Sequence, residues 1–209
     1  MNLLLLIIGI ILMQGAVYHY LLKRYKQSKQ LILYMVISSL LIIGQAIFMY
    51  YTFKDATLVH LMKLFTLECG ILALAWTDFR EHIIPNEVIV TLLSLRVIFY
   101  IWEFIELQNC FFQVLTNSLM SFLLIGLFLI AVRLIAKDSI GFGDIKLMIT
   151  MAVYQGFMGV FSSIFLSLLI MSIVGIVLLV TKKKKKKDTM AFAPSVLVGL
   201  CVSMTMSGI

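Results

Sequence analysis

Apolar runs long enough to cross a lipid bilayer follow one another along almost the whole chain, and no other feature constrains its fold as much. A helix needs about 20 mostly apolar residues to cover the hydrocarbon core of a membrane. Runs of this kind lie at residues 3–22, 31–51, 58–77, 87–105, 111–136, 145–180 and 190–209. The stretch 145–180 is too long for one crossing at about 1.5 Å of rise per residue. Gly156 and Gly159, next to the polar Gln155, offer a turn, so the sequence predicts a shorter helix ending near Gln155 and a longer one over 160–180. Eight transmembrane helices result. The expected fold is all-α, a polytopic membrane helix bundle forming one integral membrane domain over residues 1–209. Within it, residues 1–57 form N-terminal spans without a motif, and residues 58–209 carry the polar segments described below.

Composition agrees. The chain is 62% hydrophobic and only 13% charged, with a mean hydropathy of +1.09, whereas a soluble domain is about 45–50% apolar and about 25% charged. Soluble enzymes, nucleic-acid-binding domains and disordered chains are excluded together. The net charge of +7 therefore reads as membrane topology, because Lys and Arg mark the cytoplasmic side of a membrane protein. With eight spans, the segments 23–30, 78–86, 133–146 and 182–188 fall on one side and hold 14 of the 17 Lys and Arg residues. That side is expected to be cytoplasmic in a multi-pass plasma-membrane protein, with both termini outside. The first run has its basic cluster after it and none before it, so it reads as a retained span rather than a signal peptide. Six lysines, Lys182 to Lys187, serve as a topology anchor or meet anionic lipid headgroups. Cys69, Cys110 and Cys201 form no C-x-x-C pair, which leaves no zinc site of the usual spacing. They read as inert core thiols.

Ionisable residues at a membrane boundary are costly, and functional by default. Two segments stand out, both on the expected cytoplasmic side: Thr77-Asp78-Phe79-Arg80-Glu81-His82-Ile83-Ile84-Pro85-Asn86, and Ser139-Ile140-Gly141-Phe142-Gly143-Asp144-Ile145-Lys146. Each puts one aspartate at the mouth of the bundle. Two carboxylates brought close cannot both ionise cheaply, so one keeps a proton. The ionised member can then activate water while the protonated one polarises a peptide carbonyl, as in aspartic proteases. Gly141 and Gly143 would let a substrate strand approach closely. Simpler roles are open to the same residues: Asp144 as the N-cap of the sixth helix, Asp78 as an interfacial residue paired with Arg80, His82 as a headgroup-level loop residue. Glu68 and Arg96, inside spans, either pair across the bundle or line a polar cavity. An ion- or proton-coupled transporter using Asp78 and Asp144 as ion-binding residues is the alternative from another functional class.

At these residues the chain resembles the type IV prepilin peptidase family of polytopic intramembrane aspartic peptidases. The first family motif appears as Asp78 with Ile84-Pro85-Asn86, and the second, G-x-G-D-x-K, as Gly141-Phe142-Gly143-Asp144-Ile145-Lys146. An aromatic and a proline opening the last span match Phe192 and Pro194. Presenilin-like peptidases fit less well, since Asp78 follows Thr77 rather than tyrosine and Pro194 precedes Ser195-Val196. The resemblance implies cleavage of the short basic leader of prepilins or pseudopilins at the cytoplasmic face, just before their apolar segment. It implies Asp78 and Asp144 as the catalytic pair, with Gly141, Gly143, Lys146 and Asn86 supporting the site. No metal or other cofactor is expected, and no nucleic acid among the partners. Many members carry a cysteine-rich insert after the first span and also methylate the new N-terminus. Here that place holds only residues 23–30, without cysteine, so methyltransferase activity is not expected. Glu81 or Asp138 is the acidic group expected to face a basic leader.

Overall fold

A computed structural model of the chain describes residues 3–25, 27–135, 140–182 and 190–207. Among them are seven helices and no strand: α1 (Leu3–Arg24), α2 (Lys29–Thr52), α3 (Leu58–Glu81), α4 (Asn86–Glu106), α5 (Phe111–Ile135), α6 (Phe142–Val180) and α7 (Ala193–Ser207). The first six are long and apolar enough to cross a membrane. The helix boundaries follow local chemistry. Ser28 caps α2 through the Leu31 N–H and Thr57 caps α3 through the His60 N–H, each side-chain oxygen satisfying an amide that the first turn leaves unpaired.

The predicted break in the 145–180 run is present at Gly156. Its φ of 73° and ψ of −178° lie outside any helix, in a region essentially reserved for glycine. The chain turns back on itself there. Gln155 donates to Ser163 Oγ at 2.9 Å, and Asp144 and Met148 line the same cavity as Leu168 and Met171. A straight helix would hold residues 144 and 168 about 36 Å apart. So α6 is two arms, 142–155 and 157–180, which makes eight helical segments among the described residues. Asn117 of α5 braces the turn, its Oδ1 accepting the Phe157 N–H at 3.3 Å.

Two segments are shorter than a full crossing. The first arm of α6 and the 15 residues of α7 each extend about 21–23 Å, less than the roughly 30 Å of a hydrocarbon core. The last helix begins at Ala193 rather than at residue 190, because the Phe192 carbonyl accepts the N–H groups of Ser195 and Val196 and Pro194 suits a first turn.

Helix α3 is the centre of the bundle. In its most apolar window 83% of residues are buried, against 11–28% in the other five spans. Without a hydrophobic force between helices in lipid, packing relies on close approach and polar contacts. Gly199 of α7 lies so close to the second arm of α6 that a Cβ would come within 2.3 Å of Ser167 Oγ, and Ser162 and Ser203 share a hydrogen bond of 2.6 Å.

Charges inside the bundle are paired at the end of α3 remote from Asp78. Glu103 accepts from Lys63 Nζ at 2.7 Å and from Arg96 Nη1 at 2.8 Å. The Arg96 guanidinium also donates to the Val153 carbonyl at 3.1 Å and lies 3.7 Å from the Tyr100 ring centroid. Glu68 and Arg96 therefore do not pair with each other; Glu68 instead accepts from Cys201 Sγ at 3.0 Å. Of the three thiols only Cys69 is a core residue. Cys110 is exposed beside the α4–α5 turn, and Cys201 is half-buried.

Gly156→Ala is expected to lower stability by about 2 kcal/mol or more, read as a lower midpoint of thermal unfolding in detergent. Gly44→Ala, where a Cβ meets open space, is the control that leaves the midpoint in place. Glu103→Gln strands two buried cations and is expected to cost about 3–5 kcal/mol in the same measurement.

Candidate active site

The two acidic segments of the sequence meet at one end of the bundle, around a cavity of about 710 Å³. Asp78, Asn86, Gly141, Gly143, Asp144 and Lys146 all line it, together with His82, Ile84 and Phe192. All six residues singled out in the sequence are thus brought together.

Asp78 lies in the last turn of α3, buried at 6% exposure. The helix stops just beyond it because His82 adopts the left-handed conformation, φ 54°, and donates its N–H to the Asp78 carbonyl at 2.9 Å. Pro85 then opens α4. The Asp78 carboxylate accepts the Ala193 N–H at the start of α7, at 2.8 Å. It does not pair with Arg80, whose guanidinium donates to Gln30 at 2.7 Å and sits over the Trp76 ring.

Asp144 lies in the first turn of α6, but it is not the N-cap. Gly141 holds that position, and Asp144, three residues on, accepts a hydrogen bond from the Gly141 backbone. This is the return bond of a capping box. It orients the carboxylate at a half-buried position on the wall of the cavity that Asp78 also lines.

Gly143 allows the two segments to close up. A Cβ there would come within 3.0 Å of the Ile84 Cβ, tighter than side chains tolerate without a shift. Lys146 Nζ bonds Asn86 Oδ1 at 2.9 Å, tying α6 to the start of α4. Arg133, at the end of α5, donates to the Ile140 carbonyl and lies 3.6 Å from the Phe142 ring centroid, which fixes the approach to Gly141.

Glu81 is already engaged. It accepts from Arg24 at 2.7 Å and from the Tyr25 hydroxyl at 2.7 Å. Burial, with the Glu81 carboxylate beside it, pushes the Tyr25 phenol up to about 12, so it remains a donor at neutral pH. Glu81, expected with Asp138 to face a basic leader, is thus met by a cation and a phenol of the chain itself. Asp138 and the lysines Lys183 to Lys187 lie outside the described residues. No cluster of three metal-ligating side chains occurs among the described residues.

Several cavity residues escaped the sequence reading. His82 passed for a loop residue because nothing local marks a left-handed histidine as part of a site. Met171 and Leu168 reach the cavity only through the reversal at Gly156. Phe192 was legible as a motif, but its place on the cavity wall was not.

Cysteines introduced by Ile84→Cys and Gly143→Cys, in a chain with Cys69, Cys110 and Cys201 replaced by alanine, are expected to cross-link on mild oxidation. Mass spectrometry of the digested protein reads the linked peptides. Their absence would overturn the juxtaposition of the two segments.

Comparison with protein families gives a match to the type IV leader peptidase family over residues 65–178, more than half of the chain and inclusive of both aspartates. Comparison with curated proteins and with solved structures gives no match.

Proposed function

We propose that this chain, which belongs to the type IV leader peptidase family, is an aspartic endopeptidase in which Asp78 and Asp144 are the catalytic pair. The observation that carries the reading is the meeting of these two carboxylates, 66 positions apart, in one cavity at the end of a membrane bundle. Its substrates are prepilins or pseudopilins, cut between a short basic leader and the apolar segment that follows. The cavity faces the cytoplasm, on the side where most Lys and Arg residues lie.

Catalysis needs one carboxylate and one carboxylic acid. The carboxylate removes a proton from water as the water oxygen attacks the scissile carbonyl carbon, and the acid gives its proton to the carbonyl oxygen. The tetrahedral intermediate collapses when the leaving nitrogen takes a proton, breaking the C–N bond to yield an acid and an amine. One proton shared by two nearby carboxylates provides both forms at once, and the resulting pKa values belong to the pair. Asn86, Lys146, Gly141 and Gly143 support the pair by fixing the two backbone segments against each other. The Asp78 and Asp144 side chains each accept a backbone N–H, and among the described residues neither forms a salt bridge. The segment 23–30, where many members carry a cysteine-rich insert, holds no cysteine, which supports leader cleavage without methylation of the product.

The test is cleavage of a membrane-inserted substrate with a basic leader, in liposomes. Asp78→Asn and Asp144→Asn should each lower kcat/KM at least about 100-fold, and the double variant should be no worse than either single one, since the pair acts as a unit. An inactive wild type, or normal cutting by either variant, would refute the dyad. Product mass after addition of S-adenosylmethionine checks the absence of methylation.

A further inference from the structure

One hydrogen bond of the site comes from a part of the chain beyond the family match. Ala193, 115 positions from Asp78, donates its N–H to Asp78 Oδ2 at 2.8 Å, and both residues are buried. An amide in the first turn of a helix has no partner within that helix. Here a carboxylate from a different helix caps it.

The bond can serve α7, by capping it, or Asp78, by orienting it. The rest of α7 favours the second. Its position is set by contacts that do not involve Asp78: Gly199 against Ser163 and Ser167, Ser203 bonded to Ser162, and Cys201 bonded to Glu68 of α3 itself. The first amide is therefore delivered to a fixed point, and the residue before it, Phe192, forms part of the cavity wall.

We propose that the N-terminus of α7 is the positioning element for Asp78. The Ala193 amide holds Oδ2, which leaves Oδ1 as the atom that serves the cavity. Ala193 acts through Asp78 and touches no substrate, so it is a positioning residue. The inference rests on the peptidase reading above.

Ala193→Pro deletes this N–H while keeping a residue suited to the first helical position. With the membrane-inserted substrate, kcat should fall about 10- to 100-fold while KM stays within about twofold, because misorientation of a catalytic group slows chemistry without loosening binding. A second measurement removes the N–H with no added ring: lactic acid incorporated at position 193 turns the amide into an ester, and alanine incorporated by the same route is its reference. The ester should show the same loss of kcat, and it alone decides if the proline variant does not fold. An ester enzyme with the kcat of its reference, or with a raised KM and unchanged kcat, would overturn the proposal. If wild type is active and Asp78→Asn is not, that outcome leaves the peptidase reading standing. An inactive wild type or an active Asp78→Asn overturns the peptidase reading itself.

Discussion

The reversal at Gly156 is the constraint on which the rest of the site depends. It divides what would be a rod of 39 residues into a short arm that starts at Asp144 and a long arm that returns beside it. Leu168 and Met171 thereby reach the cavity wall, and Ser162, Ser163 and Ser167 face α7. Remove the turn and the chain keeps its apolar composition but loses the cavity, because Leu168 and Met171 no longer reach its wall and α7 loses its seat on Ser162, Ser163 and Ser167. A single backbone conformation open only to glycine thus links the beginning of α6 to the end of the chain.

Polar groups in the bundle are sorted by depth. The cluster of Lys63, Arg96 and Glu103 binds α3 to α4 near one end, with the Val153 carbonyl drawn in from α6. The two aspartates occupy the other end. The charged cluster is closed on itself: Glu103 offers two oxygens and each meets a cation. Among the described residues no cation pairs with either aspartate, and backbone amides hold them instead. Lys146, on the same cavity wall, is bonded to Asn86. Between the two ends, contacts are small and polar, with glycine and serine at the α6–α7 interface and tyrosine hydroxyls such as Tyr154 bonded to the Leu92 carbonyl.

Much of this was legible in the sequence. The apolar runs located the helices, since a membrane solvent leaves a chain few other ways to satisfy its backbone, and Gln155 followed by Gly156 marked the turn. Asp78 and Asp144 stood out because carboxylates at such positions are expensive. The partners of these residues were not legible. Local patterning carries no information about which amide an aspartate accepts, so Ala193 and Asp78 could not be connected. Arg80 lay closer in sequence to Asp78, yet helix geometry sends it to Trp76 and Gln30. Nothing local marks Glu103 as buried, since the two cations that meet it, Lys63 and Arg96, come from different parts of the chain. The pairing of Arg24 and Tyr25 with Glu81 was hidden for the same reason.

The enclosure of α3 has a mechanical consequence. A helix surrounded by neighbours over four-fifths of its central window is a post, and Asp78 near its lower end, gripped by α7, shares that immobility. Asp144 is set differently, in the first turn of a short arm, flanked by Gly141 and Gly143 and half open to the cavity. The two aspartates of the cavity are thus set unequally, Asp78 at the end of an enclosed helix and Asp144 in an opening turn on the cavity wall.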